Sequence, residues 1–220
     1  MKIFVTGGAG YIGSHIVFEL CDNGQEVTIY DDLSLGREEN IDKRANFVLG
    51  STLDKQLLAK TLSSDKYDAV IHLAAWKAAG ESMLKPEKYA ENNIIGSMNL
   101  LNTVIDTNIK NFVFSSTAAV YGIPSFLPMD EKHPINPINY YGYTKVFVED
   151  NLSWCSQLKG LNYAALRYFN AAGYDVKGRI TGKEKNPNNL LPIVMETASG
   201  MRDKVQVYGN DYDTIDGTGV

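Results

Sequence analysis

The opening of the chain constrains its fold more than any other feature. A short apolar run, Ile3–Val5, leads directly into regularly spaced glycines and then into a segment with helical spacing, Ile12–Cys21. The spaced glycines are Gly7, Gly10 and Gly13. Glycine permits a tight turn that a pyrophosphate can approach closely, and a helix N-terminus adds free amides and partial positive charge. Strand, glycine loop and helix in this order favour a dinucleotide-binding loop over a plain glycine turn.

Apolar runs typical of buried strands alternate with stretches of helical spacing along most of the chain. We predict strands at Ile3–Val5, Val27–Tyr30, Phe47–Leu49, Ala69–Leu73, Phe112–Phe114 and Ala164–Leu166, and helices at Ile12–Cys21, Gln56–Leu62, Tyr89–Ile105 and Tyr143–Leu158. Each parallel strand needs a crossover connection to return to the same edge of the sheet. The pattern therefore predicts an α/β fold, a doubly wound parallel sheet of the Rossmann type with helices on both faces.

Composition narrows the class of partner. The 220 residues are 44% hydrophobic and 21% charged, which indicates a globular protein and not a disordered one. The net charge of -5 and the lack of a Lys/Arg cluster argue against nucleic acid or an anionic membrane as partner. The two cysteines, Cys21 and Cys155, form no CxxC pair and have no nearby histidine, so we predict free thiols in the cytoplasm and no metal site.

The last fifty residues differ in character from the alternating part. Residues 177–189 are rich in Gly, Asn, Pro and charge, and we predict a loop over the carboxyl edge of the sheet. A helix at Ile193–Ala198, with Pro192 in its first turn, and a short strand at Val205–Tyr208 follow. We expect a dinucleotide-binding domain over residues 1–173 and an incomplete substrate-binding portion over 174–220, with the C-terminal substrate domain truncated.

Two acidic residues end the second predicted strand. Asp31 and Asp32 lie close to the distance, about 20 residues after the glycine loop, at which this fold places its ribose-binding acid. A carboxylate there accepts hydrogen bonds from ribose hydroxyls and repels a 2′-phosphate, so NAD is preferred to NADP. Arg37 lies just beyond the acidic pair and is able to bind a 2′-phosphate, so the choice between NAD and NADP stays open.

A second group of residues carries candidate chemistry. Tyr141 and Lys145 are four apart, so on a helix they share one face. A free phenol titrates at about 10, and lowering its pKa to about 7 requires about 4 kcal/mol, for which an adjacent ammonium is one source. The same spacing is common where a tyrosine simply packs beside a lysine. Ser115 and Thr117, at the end of the fifth predicted strand, favour the functional interpretation because ligands bind at that edge.

Together these segments resemble the extended short-chain dehydrogenases, and within them the NAD-dependent epimerases and dehydratases of nucleotide sugars. The resemblance covers nearly all of the chain and rests on the runs KIFVTGGAGYIGSH, IYDDLS, FSSTAAVYG, NYYGYTK and LRYFNAAG. It implies that NAD takes a hydride from C4 of a UDP-sugar and returns it to the other face, exchanging UDP-glucose and UDP-galactose. It also implies a catalytic set of Thr117, Tyr141 and Lys145.

The resemblance assigns binding residues position by position. For the cofactor these are Gly7, Gly10, Tyr11, Ile12, Gly13, Asp31, Asp32, Ser34, Gly36, Ser51, Thr52, Leu73, Ala74, Ala75, Lys77, Asn93, Ser115, Tyr141, Lys145 and Phe169. For the UDP-sugar they are Thr117, Tyr141, Asn170, Asn189, Leu190, Gln206 and Tyr208. One departure concerns Ser51 and Thr52, which stand where the family has an aspartate that contacts adenine, so cofactor affinity is expected to be lower.

Three alternatives stay open at this point. A 4,6-dehydratase needs acidic residues to eliminate water, whereas Ala118 and Ala119 follow Thr117 directly. A non-catalytic nucleotide-binding module is compatible with an incomplete substrate half, and an epimerase of another nucleotide sugar is compatible with the same motifs. The helices after the fourth and fifth strands are candidates for pairing in a homodimer.

Overall fold

The computed structural model describes residues 1–183, 187 and 189–218. The strands are β1 Lys2–Thr6, β2 Glu26–Asp31, β3 Asn46–Leu49, β4 Ala69–His72, β5 Asn111–Thr117 and β6 Asn162–Tyr168. The α-helices are α1 Tyr11–Asp22, α2 Lys55–Ser63, α3 Ala79–Leu84, α4 Pro86–Tyr89, α5 Ser97–Asp106, α6 Tyr140–Lys159 and α7 Leu190–Ala198. All six strands predicted between Ile3 and Leu166 are therefore confirmed.

The six strands form one parallel sheet in the order β3-β2-β1-β4-β5-β6. The register places Phe4 beside Thr28 of β2 and beside Val70 of β4. The order reverses at β1, and such a switch point opens a crevice at the carboxyl ends of the strands. The predicted doubly wound architecture is confirmed.

Alternate residues along the strands serve two separate cores. Phe4 belongs to the core under α2, α5 and α6, to which Leu58 and Leu100 contribute from two of those helices. Val5, the next residue of β1, belongs to the other core, where Val17 of α1 packs. Helices thus cover both faces, as the continuous apolar strands predicted.

The long predicted helix Tyr89–Ile105 is not a single α-helix, which corrects that prediction. α4 ends at Tyr89, a π-helical segment follows over Ala90–Gly96, and α5 then begins at Ser97. A π-helical turn inserts extra chain into a helix and is frequent at functional sites. Apolar spacing does not reveal this change, because three- and four-residue intervals occur in both forms.

The chain divides into two compact units, Met1–Glu184 and Lys185–Val220. The second unit contains α7, so the predicted helix Ile193–Ala198 is confirmed. The predicted strand Val205–Tyr208 is wrong, because this segment has an irregular backbone. A strand needs a neighbour for its N–H and C=O groups, and the described part of the second unit contains no other strand. The predicted functional boundary after residue 173 stays a prediction.

Candidate active site

The loop between β1 and α1 folds as only glycine permits. Gly7 has a φ of +72°, and a Cβ atom there would lie 2.6 Å from the amide nitrogen of Ala74. A Cβ atom on Gly13 would lie 2.1 Å from the carbonyl oxygen of Gly7. α1 begins at Tyr11 after Gly10, which has no side chain to cap the first amides of the helix. The loop therefore presents backbone amides and the positive end of a helix, a suitable setting for an anion.

The acidic pair lies at the end of β2, as predicted. Asp31 is buried and accepts hydrogen bonds from the amides of Ala9 (3.0 Å) and Leu33 (2.8 Å), and its burial raises the pKa of the carboxyl group. Asp32 accepts a hydrogen bond of 2.9 Å from the amide of Ser34. The bond to Ala9 ties the acid directly to the glycine loop, so the two motifs belong to one site.

One pocket joins the glycine loop, the end of β2 and the segment after β4. Most of the predicted cofactor-binding residues line it: Gly7, Gly10, Tyr11, Ile12, Gly13, Asp31, Asp32, Ser34, Gly36, Ser51, Thr52, Leu73, Ala74, Ala75, Lys77 and Ser115. Residues remote in sequence thus converge at the carboxyl edge of the sheet, where this architecture binds its ligands.

Several lining residues were not predicted, among them Asn40 and Gly182. The Asn40 side chain donates to the Gly182 carbonyl oxygen (3.0 Å) and accepts from the Gly182 amide (2.7 Å). Arg37 donates from Nε to the carbonyl oxygen of Lys183, at 2.9 Å. These contacts span more than 140 positions of the chain, and no local motif indicates them. Tyr30 also lines the pocket, and its place beside Asp31 was an available signal.

Asn93 is not among the residues that line the pocket, and its predicted contact with the cofactor stays a prediction. Its buried side chain accepts from the Trp76 amide and donates to the Trp76 carbonyl oxygen, both at 2.9 Å. It is also within 3.3 Å of the Thr144 hydroxyl on α6. The preceding residue, Asn92, lines the pocket itself. Asn93 therefore fixes the segment Leu73–Lys77 from the π-helical turn.

The proposed catalytic residues lie on two neighbouring elements. Tyr141 and Lys145 occupy the first turns of α6, and Thr117 ends β5. The Lys145 ammonium lies 5.8 Å from the centroid of the Tyr141 ring and donates a hydrogen bond of 2.8 Å to the carbonyl oxygen of Ser115. Because Ser115 also lines the pocket, β5 connects the Tyr/Lys pair to the cofactor pocket.

The electrostatics of the pair differ from the expectation that the lysine lowers the pKa of the phenol. Burial raises the pKa of Tyr141, and a hydrogen bond with the Thr117 hydroxyl opposes that rise. Burial lowers the pKa of Lys145 to about 7, while the negative charge of Glu149 opposes that fall. Desolvation dominates both groups because both are enclosed by protein. The lysine is thus only partly charged near neutral pH.

The predicted substrate-binding residues occupy separate places. Phe169 and Asn170 follow β6 and are exposed, outside the lining of the cofactor pocket. In the second unit, Leu190, Gln206 and Tyr208 line a pocket of their own. Asn189 precedes α7 as its N-cap residue. Their contacts with a sugar nucleotide stay predictions.

Within the described residues, no group of three or more His, Cys, Asp or Glu side chains could hold a metal ion. No helix in the same part of the chain is long and apolar enough to cross a membrane.

Comparison with known proteins decides the family. The model of the NAD dependent epimerase/dehydratase family matches residues 3–218. The chain belongs to this family. It is 44% identical to UDP-glucose 4-epimerase of Lactobacillus helveticus, covering all of this chain and 67% of the relative. It is 45% identical to UDP-glucose 4-epimerase of Halalkalibacterium halodurans, covering 99% of this chain and 65% of the relative.

The fold of this epimerase/dehydratase chain is also that of a solved structure. The structure of UDP-glucose 4-epimerase from Brucella ovis in complex with NAD matches with a TM-score of 0.93 and 42% identity, over 98% of this chain and 66% of that one. The chain thus spans about two thirds of the length of the proteins it matches. The resemblance inferred from the sequence motifs is confirmed at the level of family and fold.

Proposed function

We propose that the chain binds NAD and takes part in the interconversion of UDP-glucose and UDP-galactose by transient oxidation at C4 of the sugar. The observation that carries this proposal is the convergence of the glycine loop, the acidic pair and the Tyr141–Lys145–Thr117 group at one edge of the sheet. The names of the relatives, UDP-glucose 4-epimerases at 44% and 45% identity, support the choice of reaction.

The pocket fits a dinucleotide. The backbone of Gly7–Gly13 and the first turn of α1 would face the pyrophosphate, because they present amides and the positive end of a helix. The loop can fold this way because Gly7 and Gly13 have no Cβ atom to meet the neighbouring backbone. Asp31 and Asp32 would accept hydrogen bonds from the adenosine ribose and repel a 2′-phosphate, which favours NAD over NADP. The hydroxyls of Ser51 and Thr52 would lie toward adenine.

The residues of the chain would then divide the proton chemistry between them. Bound NAD supplies the hydride acceptor, the later hydride donor and a positive ring charge. Tyr141 takes the proton of the sugar 4-hydroxyl and later returns it. Thr117 donates a hydrogen bond to the same sugar oxygen. Lys145, held by the Ser115 carbonyl oxygen, stabilises the phenolate of Tyr141 and binds the nicotinamide ribose.

The remaining predicted contacts concern the UDP-sugar. We propose that Phe169 borders the nicotinamide, and that the residues that bind the UDP-sugar in addition to Thr117 and Tyr141 are Asn170, Asn189, Leu190, Gln206 and Tyr208. Leu190, Gln206 and Tyr208 line one pocket of the second unit, which supports a shared role for these three residues.

The direct test is conversion of substrate. Purified protein is incubated with UDP-galactose and NAD, and UDP-glucose is measured by chromatography, with Tyr141→Phe as the inactive reference. Formation of UDP-glucose in the wild type alone supports the proposal. NAD binding without any conversion would contradict it and favour a non-catalytic nucleotide-binding module, a candidate consistent with a chain that spans two thirds of its relatives.

We further propose a cytoplasmic homodimer that binds neither nucleic acid nor membrane. The free thiols of Cys21 and Cys155 suit a reducing compartment. Ile95, Trp154 and Leu158 are large apolar side chains exposed on the helical segments that follow β4 and β5, which supports pairing through these segments. Light scattering of the wild type and of Trp154→Glu tests the dimer, and a monomeric wild type at micromolar concentration would contradict it.

A further inference from the structure

Glu149 is a largely buried carboxylate on the same helix face as the Tyr141–Lys145 pair. It lies one turn after Lys145 and two turns after Tyr141 on α6, and only 12% of its side chain is exposed. Such a position places the carboxylate against the sheet and not in solvent. A buried charge is costly unless it is paired and hydrogen-bonded, so its partners determine what it does.

The partners of Glu149 are two residues that lie side by side in the sheet. Ser116 of β5 donates a hydrogen bond to its Oε1 atom, and Arg167 of β6 donates from Nε (3.1 Å) and from Nη2 (2.7 Å). Ser116 and Arg167 are register partners in the β5·β6 pairing. One carboxylate thus joins the helix to both strands at a single level of the sheet.

The same network extends into the turn that follows β5. Arg167 donates from Nη1 to the Tyr121 hydroxyl at 3.0 Å, and its guanidinium lies 5.0 Å from the centre of that ring. Ser116 stands between Ser115, which accepts from Lys145, and Thr117, which hydrogen-bonds Tyr141. A shift of Ser116 relative to α6 would therefore misalign both of these contacts.

Charged and titratable groups approach Lys145 from each element packed around it. Glu149 and Tyr141 approach from α6, His72 from β4, and Arg167 from β6 through its pairing with Glu149. The negative charge of Glu149 raises the pKa of Lys145 against the effect of burial. His72 is buried and its pKa is lowered to about 3, so it is neutral near pH 7.

We propose that Glu149 is a positioning residue for the reaction proposed above, on which this inference rests. Through Ser116 and Arg167 it holds the catalytic face of α6 in register with the end of β5. It also places a negative charge one helical turn from the Lys145 ammonium, which favours the charged form of that lysine. Glu149 itself touches neither the sugar nor the cofactor in this role.

The test compares Glu149→Gln with Asp150→Asn. Both variants remove one negative charge from α6, but Asp150 is exposed and lies about 100° further around the helix than Glu149. The titration midpoint of Lys145 is followed by NMR of labelled lysine side chains, with Lys145→Met to assign the signal. The pH profile of turnover is measured alongside, because a purely structural role would not move its alkaline limb.

We expect Glu149→Gln to lower the Lys145 midpoint and the alkaline limb of turnover by about one pH unit. Asp150→Asn should leave both unchanged, and Ser116→Ala, which keeps all charges, should lower turnover several-fold without moving the limb. Equal shifts in Glu149→Gln and Asp150→Asn, or none in either, would overturn the inference. Unchanged turnover in Ser116→Ala would also overturn it. This variant tests the inference even if Glu149→Gln does not fold.

The NMR midpoint separates this inference from the proposed function. A wild type that binds NAD but converts no UDP-galactose refutes the reaction, whereas the Lys145 midpoint still reports whether Glu149 acts on the lysine. An active wild type with an unmoved midpoint in Glu149→Gln refutes the inference alone.

Discussion

At the scale of single residues, Tyr141 sits in surroundings that oppose its ionisation. Burial raises the pKa of its phenol, and the neighbouring ammonium of Lys145 is itself partly discharged because burial lowers its pKa to about 7. Each enclosed group favours its neutral form, and a further positive charge or a hydrogen bond to the phenol oxygen would favour ionisation of Tyr141. The proposed base would therefore ionise more readily with the positively charged cofactor bound than without it.

We expect Tyr141→Phe to lower turnover by about 10²–10⁴-fold while NAD binding stays close to that of the wild type, because the hydroxyl serves proton transfer. Tyr143→Phe, two residues along α6 and half exposed, is the matched control and should retain activity. Asp31→Ala should show the opposite pattern, with NAD binding weakened. Steady-state kinetics and calorimetric NAD titration give both quantities, and equal losses of binding and turnover in Tyr141→Phe would exclude its role as base.

Sequence patterns predict those site residues whose role depends on local backbone geometry. Gly7, Gly13 and Asp31 belong to a loop and a strand end that the fold fixes relative to each other, so their spacing along the chain suffices. Asn40 and Gly182 meet only after the chain has closed over more than 140 positions. No fixed spacing along the chain indicates that these two residues pair, and each of them looks like an ordinary loop residue in the sequence.

At the scale of elements, the first turn of α6 carries the proposed base and depends on its cap. The Asn139 side chain accepts a hydrogen bond of 2.8 Å from the Gly142 amide. An N-cap of this kind contributes about 1 kcal/mol to stability. Loss of the cap frays the turn that includes Tyr141, whereas Lys145, one turn further along, stays anchored to the Ser115 carbonyl oxygen.

We therefore expect Asn139→Ala to lower the free energy of unfolding by about 1 kcal/mol and to lower turnover, with a smaller effect on NAD affinity. Asn139→Ser, which supplies another capping oxygen, should restore most of both properties. Chemical denaturation and kinetics at one temperature measure them. Full activity in Asn139→Ala would show that the cap does not position Tyr141.

The elements themselves were predictable to different degrees. Short apolar runs located all six strands of the sheet. The central strands β1, β2 and β4 are largely buried, as uninterrupted apolar runs indicate, whereas β6 is mostly exposed and was located by its apolar run alone. The π-helical segment Ala90–Gly96 was missed, since its apolar spacing resembles that of an α-helix. The segment Val205–Tyr208 has β-branched residues, but β-propensity without a pairing partner does not make a strand.

At the scale of the whole molecule, His72 links stability to pH. It is fully buried between the hydroxyls of Thr6 (2.6 Å) and Ser97 (2.7 Å), and burial lowers its pKa to about 3. The unfolded chain has a histidine pKa of about 6.5, so between about pH 6.5 and pH 3 the unfolded state binds more protons than the folded state. Stability from this group is present above about pH 6.5 and is lost as the pH falls toward 3.

We expect the free energy of unfolding to fall between pH 6.5 and pH 5 with a contribution of up to about 1.4 kcal/mol per pH unit from His72. In His72→Gln this contribution disappears, although the variant is less stable at pH 7 because its fit between the two hydroxyls is poorer. Urea unfolding at several pH values measures the difference between the two proteins. If the free energy of unfolding depends on pH in the same way in the wild type and in the variant, His72 does not titrate on unfolding.

The segment before the second unit closes one end of the cofactor pocket through a contact that spans more than 140 positions of the chain. Arg179 donates from Nη1 to Asp22 at 2.9 Å, and Gly182 exchanges two hydrogen bonds with Asn40. The ion pair is partly exposed and contributes little on its own. The close approach at Gly182 is the more specific contact, since a Cβ atom there would lie 2.6 Å from Asn40 Oδ1 and 2.8 Å from Arg37 Cβ.

Gly182→Ala should therefore push this segment away from Asn40 and speed NAD release several-fold. The φ angle of Gly182 lies outside the left-handed region, so the effect is steric and not a backbone penalty. Gly80→Ala is the matched control, because a Cβ atom at Gly80 meets nothing within 4 Å. Stopped-flow displacement of NAD measures the release rate. If both variants release NAD at the wild-type rate, the contact at Gly182 does not retain the cofactor, and the other residues that line the pocket, among them the glycine loop with Asp31 and Asp32, must hold it.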